Sequence, residues 1–253
     1  KIMEKINLKL QKNKKLYFAG DFHLGKPNEI SSIQREKHII KWLDNIKKDA
    51  QEIFLMGDIF DFWFEYKKTV PKGYIRLLGK FIEIIEEKIN IHYFVGNHDM
   101  WTLDYFQNLG IKVYHNPTEF NINHINFLIG HGDGLGKGDN GYKLLKNLFR
   151  NKILQTLFRI LHPDIGIVLG KYFSRKKNNK IDNTIANIND ERIVNYCKDY
   201  EINNHKDIYV FGHSHKVTER QISDKSKYYN VGEWIYSSHF LESDCKYFKI
   251  KKF

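Results

Sequence analysis

The sequence predicts an α/β protein in which two β-sheets pack face to face with helices on their outer sides. Three observations support this fold class. Short apolar runs alternate with longer segments of helical spacing in the first half of the chain, and further strand-like runs follow in the second half. The length of 253 residues, of which 42% are hydrophobic, is sufficient to bury a large core without disulfides or structural metals. We therefore expect a single domain over residues 1–253.

The first half of the chain alternates between predicted strands and predicted helices. Apolar runs at 16–20, 53–57 and 92–96 each end in a glycine and predict buried strands. Between them, segments 33–46 and 74–85 carry apolar residues every three or four positions, which predicts helices that bury one face. This alternation favours parallel pairing of the strands.

Strand-like runs dominate the rest of the chain. Runs at 111–114, 119–122 and 125–129 follow the third strand, and Asn123 and His124 form a plausible hairpin turn between the last two. The final runs are 207–211, 217–222, 228–231 and 246–250. We expect these final runs to form a meander that contributes a second sheet.

Charge and cysteine content narrow the class of protein. The chain carries 41 Lys and Arg against 30 Asp and Glu, a formal charge of +11. Its two cysteines, Cys197 and Cys245, are far apart, which excludes a disulfide-rich secreted protein and a zinc-ribbon or thioredoxin-type site. No apolar run reaches the ~18 to 20 residues of a membrane-spanning helix, and the lysine-rich start lacks the apolar segment of a signal peptide. The expected location is the cytosol.

Residues 134–201 predict a basic helical insertion that acts as a lid. Between 134 and 180, eleven Lys and Arg accompany two Asp, and Leu, Ile and Phe recur at helical spacing. A face that is both apolar and cationic suits an anionic membrane surface or an anionic lipid. The alternative is a helical cap whose apolar side packs on the sheets while its lysines are solvated. The sequence leaves both interpretations open.

Residues of metal-ligand type follow five of the predicted strands. The five blocks are Asp21-Phe22-His23, Gly57-Asp58, Gly96-Asn97-His98-Asp99, Gly130-His131-Gly132-Asp133 and Gly212-His213-Ser214-His215. Side chains at the carboxyl ends of strands in an open α/β sheet converge on one crevice. Carboxylates, an amide oxygen and imidazoles suit two divalent cations such as Mn²⁺, Fe²⁺ or Zn²⁺. Two such cations can clamp a phosphoryl group, so the pattern predicts hydrolysis of a phosphoester or phosphoanhydride.

These motifs, D-x-H, GD-x-x-D, GNHD, GH-G-D and GHSH, resemble the five blocks of the calcineurin-like metallophosphoesterase superfamily over about residues 16 to 235. The resemblance implies a four-layer αββα sandwich with a helical lid insertion, and two metal sites that share Asp58. The first site would use Asp21, His23, Asp58 and His215, and the second Asp58, Asn97, His131 and His213. His98 would contact the phosphoryl or leaving oxygen, with Asp99 orienting it. The expected cofactor is a pair of Mn²⁺ ions.

Within this superfamily, the run from Gly57 to Trp63 and the basic insertion after the His131 block resemble the UDP-2,3-diacylglucosamine diphosphatases of lipid A biosynthesis. That resemblance implies hydrolysis of the pyrophosphate of UDP-2,3-diacylglucosamine to UMP and 2,3-diacylglucosamine 1-phosphate. It also implies a Gram-negative source and a peripheral position on the cytoplasmic face of the inner membrane. The expected partners are the UDP-linked diacylated glucosamine and the anionic membrane surface, and no nucleic acid is expected.

Substrate contacts are expected from Asn97, His98 and His213 within the motifs. In the lysine-containing run that follows, Ser174, Lys177 and Asn178 either bind the phosphate or sugar of the substrate or form a solvated face. The chain departs from the diphosphatase family at His98, where proteobacterial members have Arg. The diphosphate contact at this position must therefore differ, which leaves a broader substrate range open.

Two other functions remain open. A phosphodiesterase acting on nucleotides, nucleic acid or other phosphoesters would use the same metal site, and the charge of +11 would attract polyanions. The sequence contains no RRM, helix-turn-helix or zinc-finger pattern that would support a nucleic-acid substrate. A non-catalytic basic protein that docks on anionic membranes or partners would keep the metal site only for its structure.

Overall fold

The structure is a computed structural model that describes residues 5–27, 30–175 and 183–253, and the fold and site are described for these residues. The strands are β1 (Lys5–Leu8), β2 (Lys15–Ala19), β3 (Ala50–Leu55), β4 (Asn90–Phe94), β5 (Lys112–Tyr114), β6 (Thr118–Ile122), β7 (Ile125–Ile129), β8 (Ile208–Phe211), β9 (Val217–Ser223), β10 (Ser226–Val231), β11 (His239–Ser243) and β12 (Phe248–Lys252). The helices are α1 (Ser32–Ile46), α2 (Ile75–Glu86), α3 (Tyr105–Asn108), α4 (Asn140–Phe149), α5 (Lys152–Phe158), α6 (Pro163–Arg175) and α7 (Asn183–Glu201).

The strands form two six-stranded sheets. The first sheet has the order β1-β6-β7-β8-β10-β9, and the second has the order β12-β11-β2-β3-β4-β5. In the second sheet, β2 to β5 pair in parallel, as the alternation of strands and helices predicts. At the β6–β7 hairpin, Asn123 and His124 both have positive φ, the conformation that a tight two-residue turn requires. The predicted α/β class and the predicted hairpin turn are both confirmed.

The final strands are divided between the two sheets, so the predicted C-terminal meander is wrong. β8 pairs in parallel with both β7 and β10, and β9 lies antiparallel to β10 at the edge of the first sheet. β11 and β12 instead join the second sheet beside β2. Burial explains this division, because Phe240 packs in the helix-facing core of the second sheet and Leu241 packs between the sheets. Strand β11 is therefore buried on both faces, which requires a position inside a sheet that is covered by helices on one face and by the other sheet on the opposite face.

Three cores separate four layers of structure. In β2, Leu16 and Phe18 point between the sheets, whereas Tyr17 packs with residues of α1 and α2 on the outer face of the second sheet. On the outer face of the first sheet, Cys197 of α7 packs with Tyr209 of β8. The order of the layers is helix, sheet, sheet, helix, which confirms the four-layer αββα sandwich.

Helices α4 to α6 with their connecting residues, which we call the cap, contribute little to these cores. Neither α4 nor α5 contains a buried residue. The large hydrophobic side chains that the cap exposes are Leu144, Leu145, Leu148, Ile153, Leu154, Leu157, Ile160, Leu161, Ile165, Val168, Leu169 and Tyr172. These exposed residues of the cap therefore do not pack on the sheets, whereas Phe158 and Ile167 pack against the aromatic cluster of Phe62, Phe64 and Tyr66. Helix α7, which also falls in the predicted insertion, packs on the first sheet instead.

Helix α6 lies directly on two aromatic rings of the core. A Cβ atom added at Gly166 would lie 1.8 Å from the hydroxyl of Tyr66, and one at Gly170 would lie 2.1 Å from the ring of Phe62. Only glycine permits this approach. Because the glycine side of α6 faces the core, several of its larger apolar residues are directed outward, and Val168 is 68% exposed, whereas Ile167 packs against the core aromatics.

Polar contacts also join the cap to the core. The indole Nε1 of Trp101 donates to the carbonyl oxygen of Phe149 at 2.7 Å, and Nε of Arg159 donates to the carbonyl oxygen of Glu65 at 2.9 Å. Within the described ranges, no helix combines the length and the apolar character that a bilayer crossing requires. The cap is thus a surface layer that is tied to the core at a few points.

Candidate metal centre

The five predicted ligand loops lie at the carboxyl ends of β2, β3, β4, β7 and β8. The first three of these strands are neighbours in the second sheet, and the last two are neighbours in the first sheet. Because the two sheets pack face to face, their carboxyl ends meet at one edge of the sandwich. The seven side chains predicted as metal ligands lie at this edge, in two groups that share Asp58.

The first group contains Asp21, His23, Asp58 and His215, whose ligand atoms all lie within 4.8 Å of one another. Nε2 of His215 is 3.2 Å from Oδ1 of Asp21 and 3.0 Å from Nε2 of His23. Two imidazole nitrogens that face each other at this distance need a shared proton or a shared cation between them. The group therefore has the composition and the spacing of a cation site.

The second group contains Asp58, His131 and His213, and Asn97 lies beside it. Nε2 of His131 is 3.5 Å from Oδ2 of Asp58 and 3.3 Å from Oδ1 of Asn97. The same Oδ2 of Asp58 is 3.7 Å from Nε2 of His23 in the first group. One carboxylate oxygen thus lies between the two groups, where it can bridge two metal ions.

Backbone groups hold the other oxygen of each ligand carboxylate. The N–H of His98 donates to Oδ1 of Asp58 at 2.8 Å, and the N–H of His213 donates to Oδ2 of Asp21 at 3.0 Å. Oδ1 of Asp21 is buried, and although Nε2 of His215 lies 3.2 Å away, no donor among the described residues meets this oxygen with hydrogen-bond geometry. A buried carboxylate oxygen without a donor is costly unless a cation binds it.

A carbonyl oxygen fixes the tautomer of His131. Its Nδ1 lies 2.7 Å from the carbonyl oxygen of Met56. Because a carbonyl can only accept, Nδ1 carries a hydrogen, and Nε2 is the nitrogen that faces the second group. A histidine that binds a metal through one ring nitrogen is commonly oriented in this way, by a hydrogen bond from its other ring nitrogen to a carbonyl oxygen.

Five of the predicted ligands have positive φ: Asp21, His23, Asp58, His213 and His215. Such residues cost about 1 to 3 kcal/mol each and accumulate at functional sites. Glycines make room for the ligands, since a Cβ at Gly96 would lie 2.2 Å from Oδ1 of Asp58, and one at Gly212 would lie 2.6 Å from Oδ2 of Asp21. The sharp turns keep the ligand side chains close together.

The electrostatic environment favours positive charge at this edge. Burial lowers the pKa of His131, but the carboxylate of Asp58 outweighs that effect and raises the pKa to about 10. A position that holds a proton this strongly also favours a metal cation. Burial lowers the pKa of His23 to about 4, so this ring is neutral at pH 7 and can serve as a ligand. The residues therefore fit a divalent metal site.

His98 lies at the end of the first group. Its ring centroid is 4.8 Å from that of His23, and its Nδ1 lies 3.0 Å from the carbonyl oxygen of Asp61. Because that carbonyl can only accept, Nδ1 carries the hydrogen and Nε2 is the nitrogen that can contact a substrate. His98, Asn97 and His213, which the sequence predicts as substrate contacts, therefore lie in or beside the metal centre.

The carboxylate of Asp99 occupies a different position from the one expected beside the His98 ring. Oδ1 accepts from the N–H of Gly96 at 2.7 Å, and Oδ2 accepts from the N–H of Ile59 at 2.8 Å and from the hydroxyl of Tyr93. Asp99 thus links two ligand loops through their backbones, and Asp61 supplies the contact to the imidazole. Ser174, Lys177 and Asn178 cannot be placed, because the side chain of Ser174 and both other residues lie outside the described part of the chain.

Sequence reasoning missed two charged residues that support the ligand loops. Arg35 of α1 is buried, and its guanidinium donates to the carbonyl oxygen of His23 at 2.7 Å. Asp190 of α7 is fully buried beneath the last loop and accepts from the hydroxyls of Tyr228 at 2.9 Å and Ser214 at 3.5 Å. The only sequence feature that could have identified them is a charged residue within an amphipathic helix, and this feature does not show which group the residue contacts.

Comparisons with known proteins agree with this geometry. The family model of the calcineurin-like phosphoesterases matches residues 14–217. A UDP-2,3-diacylglucosamine hydrolase of Porphyromonas gingivalis is 32% identical over 242 residues, which cover 89% of this chain and 92% of that protein. Proteins of the same name from Psychromonas ingrahamii and Actinobacillus succinogenes are 22% and 24% identical, and the matches cover 89% and 90% of this chain and 91% and 95% of those proteins.

Proposed function

Because the chain belongs to the calcineurin-like phosphoesterase family and is a metal-dependent hydrolase, we propose that it cleaves the pyrophosphate bond of UDP-2,3-diacylglucosamine. The products are UMP and 2,3-diacylglucosamine 1-phosphate. The observation that carries this proposal is the pair of ligand groups that share Asp58, in a chain whose cap has an exposed apolar surface. The hydrolase relatives support it, and they argue against a non-catalytic role.

Two divalent cations, for which Mn²⁺ is our choice, occupy the two groups in this proposal. Asp21, His23, Asp58 and His215 hold one of them, and Asp58, Asn97, His131 and His213 hold the other. When bound, the cations neutralise phosphoryl oxygens and lower the pKa of water so that it can attack at neutral pH. The protein contributes a rigid ligand frame, since backbone donors hold the second oxygen of both aspartates.

His98 acts on the reacting phosphoryl group in this proposal. Its Nδ1 hydrogen is committed to the carbonyl oxygen of Asp61, so the ring acts on the substrate through Nε2. When Nε2 is also protonated, the imidazolium donates from it to a phosphoryl oxygen or to the leaving oxygen, which stabilises the charge that develops there. Asp99 acts indirectly, because it holds the turn that presents Asn97 and His98.

The cap binds the acylated half of the substrate and meets the anionic surface of the inner membrane. Its exposed apolar side chains include Leu144 at 73%, Ile153 at 71% and Ile160 at 77% exposure. Basic residues of the same segment supply the positive charge that an anionic lipid surface attracts. Contact with acyl chains or with the membrane removes these side chains from water, which stabilises the complex.

The test is UMP release from UDP-2,3-diacylglucosamine by metal-stripped protein resupplied with Mn²⁺. Deacylated UDP-glucosamine and an aryl phosphodiester serve as comparison substrates. We expect strong preference for the acylated substrate and loss of all three activities without metal. Equal or faster turnover of the two small substrates would contradict the proposal and would favour a general phosphodiesterase, which His98 in place of Arg leaves open.

A further inference from the structure

A cavity of about 70 Å³ lies beside the second ligand group. His131 and Gly132 form one part of its wall, and Phe94 and Tyr114 form another. Since a cavity needs ~10 to 15 Å³ for each enclosed water, this one has room for roughly five waters. That is enough for one planar ring or sugar, and it is too small for a pair of acyl chains.

The cavity and helix α6 lie near different ligand groups of the metal centre, whereas helix α4 of the cap lines the cavity through Lys146. At one end, Nδ1 of His98 donates to the carbonyl oxygen of Asp61. Phe62, which follows Asp61 in the chain, lies against helix α6 of the cap. At the other end, His131 lies 3.5 Å from the shared oxygen of Asp58 and lines the cavity. The two substituents of a diphosphate leave the reacting phosphoryl group on different sides. One can therefore run toward helix α6 and the other into the cavity.

The charges in the cavity wall are already paired. Nζ of Lys146 lies 2.6 Å from Oδ2 of Asp133 and donates to the carbonyl oxygen of the same residue at 2.8 Å. The hydroxyl of Tyr142 donates to this carboxylate at 2.6 Å. Because Lys146 is committed to Asp133, the pair does not offer a cation to a second phosphate. An acyl chain here would desolvate the three polar groups without replacing their water.

The rim of the cavity is polar. His115 and Asn116 are exposed there, and Arg150 of the cap binds both residues. Its guanidinium donates to the carbonyl oxygen of His115 at 2.6 Å and to Oδ1 of Asn116 at 3.2 Å. An aromatic wall with a polar rim suits a small heterocycle that packs on one face and hydrogen-bonds at its edge.

We propose that this cavity binds the base of the nucleotide half of the substrate, so that a pyrimidine nucleoside 5′-phosphate spans from the metal centre into it. This inference rests on the proposed function and assigns a position to the half of the substrate that carries no acyl chain. The cavity then selects for the nucleotide, and the exposed apolar side chains of the cap select for the lipid.

The test compares UMP with inorganic phosphate by isothermal titration calorimetry on the metal-loaded full chain. In the wild type we expect UMP to bind more tightly than phosphate. Asn116→Ala removes a rim group and Leu135→Phe adds volume at the wall, and each is expected to weaken UMP binding about tenfold with no change in phosphate binding. Asn108→Ala, on an exposed position of α3 outside the cavity, is the matched control and keeps the wild-type ratio.

The inhibition constant of 2,3-diacylglucosamine 1-phosphate, measured with an aryl phosphodiester as substrate, completes the design. We expect it to be unchanged in Asn116→Ala and Leu135→Phe. Equal affinity of the wild type for UMP and phosphate, or a parallel loss of both ligands in the folded variants, would overturn the base assignment. Because UMP binding needs no lipid substrate, these results are separate from a failure to cleave UDP-2,3-diacylglucosamine, which would overturn only the proposed function.

Discussion

The metal centre and the cap differ in almost every physical respect. At the metal centre, Asp21 and Asp58 are buried, and backbone donors hold one oxygen of each. In the cap, α4 and α5 bury no side chain, and large apolar residues face outward. In our proposal this difference is a division of labour, in which a fixed centre performs the chemistry and a sparsely attached layer recognises the lipid. The following predictions test this division.

The largest expected effect is at the shared carboxylate. Asp58→Asn removes the charge that lies between the two ligand groups, and we expect hydrolysis of every substrate to fall by roughly 10³-fold or more. Metal content, measured by elemental analysis of the purified protein, should fall with it. Asp224→Asn, in an exposed turn, is the control. Full activity of Asp58→Asn would show that the centre is not the site of the chemistry.

A smaller effect is expected at His98, which touches the reacting group without holding metal in our proposal. His98→Asn should lower kcat by about 10² to 10³-fold for acylated and small substrates alike, with unchanged metal content. His124→Asn, in the β6–β7 turn, is the control, because asparagine tolerates the positive φ at that position. Loss of metal in His98→Asn would instead make the histidine part of the ligand frame.

The cap should affect one class of substrate only. Replacing Leu144, Ile153 and Ile160 together by serine removes exposed apolar surface, and we expect kcat/KM for the acylated substrate to fall about 10- to 100-fold. Turnover of an aryl phosphodiester should not change. The matched control is Ile75→Ser with Ile202→Ser, since these isoleucines are 79% and 78% exposed outside the cap. Equal losses for both substrates would break the division between centre and cap.

The smallest effect concerns helix α7, which lies in the predicted insertion but packs with the core. Asp190→Asn weakens the support of Ser214 and Tyr228, and we expect metal affinity to fall about tenfold, as changes behind a ligand commonly cause. Asp199→Asn on the exposed side of the same helix is the control. Titration of the metal-free protein with Mn²⁺ measures the change. Unaltered affinity with lowered thermal stability would assign Asp190 to the fold alone.

Local patterns explain what the sequence predicts correctly. The parallel strands and the ligand loops are encoded in contiguous runs, such as the apolar residues before Asp21 and the glycine before Asp58. The distribution of the last strands is not encoded in this way, because Phe240 and Leu241 are sorted by layers built from distant parts of the chain. A local pattern cannot reveal which sheet a short strand joins.

The sequence likewise does not predict which groups the buried charged residues contact. Helical spacing identifies α1 and α7, but it does not indicate that Arg35 reaches the carbonyl of His23 or that Asp190 reaches Ser214. The orientation of the cap was also undetermined, because an amphipathic helix has the same sequence pattern whether its apolar face meets a core or a lipid. The glycines at 166 and 170 carry the missing information, since they determine which side of α6 meets the core.

The backbone of the metal centre also restricts which amino acids can serve in it. Asp21, His23, Asp58, His213 and His215 occupy left-handed conformations, which aspartate, asparagine and histidine tolerate better than most other residues with a side chain. The same three residue types supply oxygen and nitrogen ligands to divalent metals. Exchange among them preserves both the turn and a donor atom, whereas valine, isoleucine or threonine would oppose the turn itself. Variation among natural and engineered forms of this site should therefore stay within that small set of residues.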